Sequence, residues 1–148
     1  MHKPLALASL FAALLLAVPA LAQIAPGSAG LGTKLGIESL NNSGQVGEVT
    51  LFNHGAQTQV VLDVKSTGGA AEAAHIHRGK SCEDPIDPTP AYTLKNVVGG
   101  HSTTTIAVPE SKLLSGNYVV IVHSHSATAT PAQMESPKSY VACSHLYR

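Results

Sequence analysis

Short apolar runs, each stopped by turn-forming residues and none carrying a sustained helical period, confine this chain to an all-β fold. The strand-like segments are Lys34–Leu40, Val46–Phe52, Gln59–Val64, Ala73–His77, Thr103–Val108, Tyr118–His123 and Tyr140–Cys143. Asn41-Asn42-Ser43-Gly44, Asn53-His54-Gly55 and Ser66-Thr67-Gly68-Gly69 supply turns, and an Asp- and Pro-rich stretch, Ser81–Pro90, supplies a long loop. Only Ser111–Leu114 hints at a helical turn. Seven or so short strands of this kind predict an antiparallel sandwich or barrel.

The amino terminus reads differently. Met1-His2-Lys3, an apolar run from Leu5 to Val18 and Ala20-Leu21-Ala22 have the order of a secretory signal peptide, residues 1–22, cleaved after Ala22. The run falls short of the roughly 20 apolar residues that a membrane span needs. Residues 23–32 are small and flexible and read as a linker, leaving 33–148 as a single β domain. Cleavage leaves about 126 residues, enough for one core and too few for two. It also leaves 8 basic and 9 acidic side chains, because Lys3 is one of the 9 Lys and Arg residues. Nothing in a chain so nearly neutral suggests the basic face that nucleic acid needs, and no membrane attachment is expected once the signal is gone. Trp is absent and Phe occurs twice, so Val, Leu, Ile and Ala must build the core. Export places the protein in the periplasm or outside the cell.

Cys82 and Cys143 are the only cysteines. An even count in an exported chain favours a disulfide, and two cysteines allow one intramolecular pairing. Two free thiols, or two thiolate metal ligands, are the alternatives.

Ala74-His75-Ile76-His77 carries the strongest chemical signal. Side chains alternate across a strand, so His75 and His77 share a face and can share an ion. An edge strand exposing two polar residues would show the same pattern. Val119-Val120-Ile121-Val122-His123 adds weight, because a histidine ending an apolar strand is an unusual core residue without a partner. His125 lies two residues on, nominally on the same face. Three imidazoles with an open position suit Cu(I), Cu(II) or catalytic zinc. His54 reads as a solvated turn residue, and His145 as a surface residue or accessory ligand.

Thr33-Lys34 through Leu51-Phe52, His75-Ile76-His77, Cys82, Gly116 through His123 and Ala142-Cys143 together resemble, in order, the landmarks of the copper/zinc superoxide dismutases. They also resemble bacterial CHRD-type domains, which share an A-H-I-H-x-G segment and a late V-H strand. The resemblance implies a Greek-key β-sandwich or flattened barrel. It also implies copper held by His75, His77 and His123, and a Cys82–Cys143 disulfide. The departures carry information too. Glu83 to Gly100 contains no histidine, so the bridging copper–zinc ligand of that family is missing and zinc is not expected. Asp84 and Asp87 read as solvated loop residues. His101 is the nearest replacement ligand, although its place after Gly99-Gly100 suits a turn. Tyr140 stands where the family has an arginine that guides superoxide, and Ser144 replaces the glycine after Ala-Cys; Lys138 and Arg78 lie nearby.

Three functions fit these features. The first is an exported copper-binding protein that buffers, stores or passes on one ion, its partner being a copper-exchange protein. The second is a mononuclear copper superoxide dismutase without zinc, acting on superoxide. The third is a metal-free structural or interaction domain. Whether the chain is an enzyme is left open by the sequence.

Overall fold

A computed structural model describes residues 30–65, 70–125, 128–134 and 136–147. The signal peptide expected at 1–22 and most of the 23–32 linker lie outside the described residues. Eight strands run in chain order: β1 (Thr33–Ser39), β2 (Gly47–His54), β3 (Gln57–Val64), β4 (Ala74–Arg78), β5 (Pro90–Thr93), β6 (His101–Ile106), β7 (Ser115–His123) and β8 (Tyr140–Tyr147). One helical turn, α1 (Glu110–Leu113), precedes β7; a second, α2 (Pro131–Met134), and a 3₁₀ turn (Pro137–Ser139) precede β8. The helical turn read at Ser111–Leu114 is α1, shifted by one residue. β5 escaped the sequence reading because it is short, begins with Pro and is only partly buried.

All pairings are antiparallel, in the order β5-β4-β7-β8-β1-β2-β3-β6. β1 joins the two halves. Its first part, Thr33–Ile37, pairs with β2, whereas Glu38 and Ser39 pair with β8. At the other end, Leu94 donates to the Ala74 carbonyl (3.0 Å), and Glu72 and Val97 exchange two backbone bonds (2.9 and 2.8 Å). The result is the expected flattened, nearly closed barrel. β3 pairs with β6 and β4 with β7, and these skips of two strands are the crossing connections of a Greek key.

Local chemistry explains the turns. Asn41 and Asn42 both adopt positive φ (50° and 57°), which Asn tolerates better than other side chains. The Asn41 amide also donates to the Pro137 and Tyr140 carbonyls, both at 2.9 Å, tying the β1–β2 turn to the start of β8. β2 and β3 are joined through Gly55-Ala56, where Gly55 has φ 73° and its N–H meets the Asn53 side chain at 2.8 Å. At Gly47 the Asp63 carbonyl lies 2.0 Å from where a Cβ would sit, so only glycine fits.

Val49, Leu51, Val60, Leu62, Ala74, Ile76, Val120, Val122, Ala142 and Leu146 fill the interior, as a chain without Trp requires. β7 is buried on both faces, which is why it reads as a continuous apolar run. Val120 and Val122 face the barrel interior, whereas Val119 and Ile121 belong to a second, smaller core with Tyr140, Cys82 and Cys143.

Cys82 and Cys143 are disulfide-bonded, 61 residues apart, which rules out the free-thiol and thiolate-ligand alternatives. The bridge fastens the β4–β5 loop across the outer face of β7 and β8. Loop-closure entropy for that span amounts to about 4 kcal/mol. A Cys82→Ser/Cys143→Ser variant should therefore lose about 4 kcal/mol of unfolding free energy in urea titrations; a loss under about 1 kcal/mol would mean the loop is held by its other contacts.

Candidate metal centre

The three histidines converge because of strand register. His75 pairs with Ile121 across β4–β7, and the His123 N–H bonds the Ala73 carbonyl at 2.8 Å. His75 and His123 are thus diagonal neighbours on one face, a spacing within reach of long side chains. His77 follows at i+2 on that face. Ala74 and Ile76 point the opposite way, into the barrel interior. All three imidazoles are buried, with exposures of 7% for His75 and 0% for His77 and His123.

Hydrogen bonds select the inward-facing nitrogens. His77 Nδ1 lies 2.9 Å from the Asp87 carbonyl, which can only accept, so Nδ1 carries the proton and Nε2 is the basic nitrogen. His123 Nδ1 faces Ser139 Oγ at 3.4 Å and hydrogen-bonds the Met134 backbone. Ser139 Oγ lies 2.7 Å from both the Met134 and the Ser136 carbonyl and gives its one proton to these, so toward His123 it accepts. His123 Nε2 is again the basic nitrogen, and it stands 3.1 Å from His75 Nδ1. His75 Nδ1 donates to it in the metal-free protein and would yield that proton to an ion, so the donor set is His75 Nδ1, His77 Nε2 and His123 Nε2.

One ligand atom from each ring lies within 4.8 Å of the others. Nitrogens sharing an ion at about 2.0–2.1 Å can be at most about 4.2 Å apart, a limit that His75 Nδ1 and His123 Nε2 meet at 3.1 Å. Outer hydrogen bonds of this kind, from the distal ring nitrogen to a backbone carbonyl, fix ring orientation at metal sites. A three-histidine group able to hold a metal ion is thus built into the outer face of β4 and β7. Tyr140 completes its wall: it is 5% exposed and its ring stands edge-on to His123, centroids 5.2 Å apart.

His101 and His125 are not brought into this cluster. His101 opens β6 in the other half of the barrel, exposed, with Nδ1 2.8 Å from Asp63 on β3. The turn reading of that residue is the better one, and the physical reason is its ring's direction: it is exposed and tied to Asp63 on β3. His125 is exposed just past β7, where its backbone carbonyl accepts the Ala73 N–H at 2.8 Å. His54 ends β2 at the exposed hairpin. His145 sits half-buried on β8 and accepts the Cys82 N–H at 2.9 Å. Asp84 is exposed; Asp87 contributes its carbonyl to His77, while its carboxylate accepts the Thr89 N–H at 2.9 Å. Ser139 escaped the sequence reading, since nothing in Pro137-Lys138-Ser139 marks it as an imidazole's partner.

No protein-family model matches the chain, and no curated protein matches it in sequence.

Burial pushes the His123 imidazole down to about 3, with His75 and His77 adding to the effect. It lowers His75 as well, again mainly by burial, with His77 second. His75 and His123 are therefore neutral, the form a metal needs, at any pH near 7. In the metal-free protein between about pH 3 and 6.5 the unfolded chain binds protons that the folded one refuses, so stability must rise with pH across that window. Between pH 5 and 7 the unfolding free energy of chelator-treated protein should climb by up to about 1.4 kcal/mol per unit for each such histidine. A His123→Gln variant should flatten the slope; an unchanged slope would show that this ring is not buried in its neutral form.

Proposed function

We propose that the protein is an exported copper-binding protein that holds one copper ion through His75, His77 and His123 and buffers, stores or passes it on. The observation that carries this reading is the convergence of three buried imidazoles, two of which, His77 and His123, have their basic nitrogens oriented by the Asp87 carbonyl and Ser139. A donor set of imidazoles alone, without carboxylate or thiolate, suits copper, and copper outranks zinc at a given nitrogen site. The order of motifs shared with the copper/zinc superoxide dismutases supports the same metal. The disulfide is of a kind that persists in oxidising compartments, in keeping with a periplasmic or secreted protein. Among the described residues no helix is long and apolar enough to cross a membrane.

Binding is favoured over turnover by what surrounds the site. Bound copper would supply one-electron redox chemistry, and a dismutase built on it gains its rate by steering an anionic substrate inward. Here the guiding position is filled by Tyr140, a buried neutral ring packed on His123, and both Arg78 and Lys138 are exposed. A mononuclear copper dismutase remains the second reading, since the same three ligands would serve it.

Purified protein should bind one copper ion per chain. Outer hydrogen bonds typically change affinity 10–100-fold, so loss of a direct ligand in His123→Ala should weaken binding by more than about 100-fold, and His75→Ala/His123→Ala should abolish it. Superoxide consumption by the copper form should stay near that of free buffer. Turnover approaching the diffusion limit would establish the dismutase reading instead, and no stoichiometric binding of copper or zinc would leave a metal-free structural or interaction domain.

A further inference from the structure

The disulfide sits in a second group of ligating atoms, on the outer surface where β1 meets β8. A Glu38 carboxylate oxygen, the Cys82 sulfur and a His145 imidazole nitrogen all lie within 4.8 Å of one another. Register places them there. Glu38 pairs directly with Cys143 across β1–β8, and Cys143 shares a strand face with His145 two residues on. Cys82 arrives from the β4–β5 loop and is bonded to Cys143. One sulfur, an imidazole and a carboxylate thus meet at one corner, with the Cys143 sulfur bonded to that of Cys82.

While the disulfide is intact the corner lacks thiolates and cannot ligate through sulfur. It is also electrostatically unsettled. His145 Nε2 accepts the Cys82 N–H at 2.9 Å yet stands 3.3 Å from a Glu38 carboxylate oxygen. One nitrogen cannot accept the first and donate to the second, so no proton is shared with Glu38, and a cation bound between them would take the His145 lone pair from the Cys82 N–H. The corner is reachable. Glu38 is largely exposed, and a surface groove lined by Lys80, Ser81, Gly116 and Tyr147 opens beside His145.

We propose that reduction of Cys82–Cys143 converts this corner into a second metal site, selective for a thiolate-preferring closed-shell ion such as Zn²⁺. Its ligands are the Cys82 and Cys143 thiolates and His145, with Glu38 completing a tetrahedral set. A dithiol reductant drives the switch. Its thiolate attacks the sulfur of Cys82, which is 9% exposed against 1% for Cys143, and the S–S bond breaks with Cys143 leaving as thiolate. The second thiol of the reductant then displaces Cys82 and closes its own disulfide. Two electrons and two protons have moved to the protein, giving two thiols; metal binding returns two protons to solvent. This site is separate from the three-histidine group and does not depend on it.

The test is an anaerobic titration of the protein with Co²⁺ and then Zn²⁺, before and after reduction with a dithiol that is removed by desalting. Reduced protein should take up one more Zn²⁺ per chain than oxidised protein, and its Co²⁺ form should show a sulfur-to-cobalt charge-transfer band. His145→Ala should weaken that extra binding at least tenfold, whereas His123→Ala should leave it intact. Equal uptake in both redox states overturns the proposal. So does a band undiminished in His145→Ala, because thiols of an opened chain would then suffice. A reduced chain that circular dichroism shows to be unfolded, and that zinc does not restore, overturns it too.

Discussion

The antiparallel pairing of β4 with β7 is the constraint on which the rest of the site depends. Its register, Ala74 opposite Val122 and His75 opposite Ile121, decides which side chains face the interior and which face outward. A slip of one residue would turn Ala74 and Ile76 out of the core and drive His75 and His77 into it. The alternation of Ala74 and Ile76 with the two histidines on β4 forbids that slip. The barrel interior thereby specifies the position of three imidazoles that do not belong to it.

Those imidazoles are held on the outside of the barrel yet kept from water, and the covering layer does this. The β4–β5 loop is fastened over them by Cys82–Cys143 and lends the Asp87 carbonyl to His77. The segment before β8 contributes Ser139 and Tyr140. Burying a polar ring without compensation is costly, and here each hydrogen bond also chooses a tautomer. The same contacts that satisfy the outer nitrogens of His77 and His123 leave their inner ones basic. Covering loop, disulfide and ligand orientation are therefore one device.

Much of this was legible in the sequence, for reasons that differ by element. β7 announced itself as an apolar run because both its faces are covered, and His123 stood out against that run. The period of two at His75-Ile76-His77 placed two rings on one face without any knowledge of the fold. Cys82 and Cys143 could pair only with each other. What stayed hidden depends on tertiary neighbours. The bond from His77 goes to a backbone carbonyl, which no side-chain identity records. β5 is a four-residue edge strand opened by Pro90, too short to carry a pattern. His101 looked like a replacement ligand only while its ring's direction was unknown, and its exposed contact with Asp63 takes it out of the cluster.

The central claim is that one ion sits among His75 Nδ1, His77 Nε2 and His123 Nε2. X-ray absorption at the copper edge, on protein loaded with one equivalent, tests it most directly. Three imidazole nitrogens at about 2.0–2.1 Å, with their outer-ring scattering, are the predicted first shell. A shell dominated by sulfur, by carboxylate oxygen or by fewer than three imidazoles would contradict it.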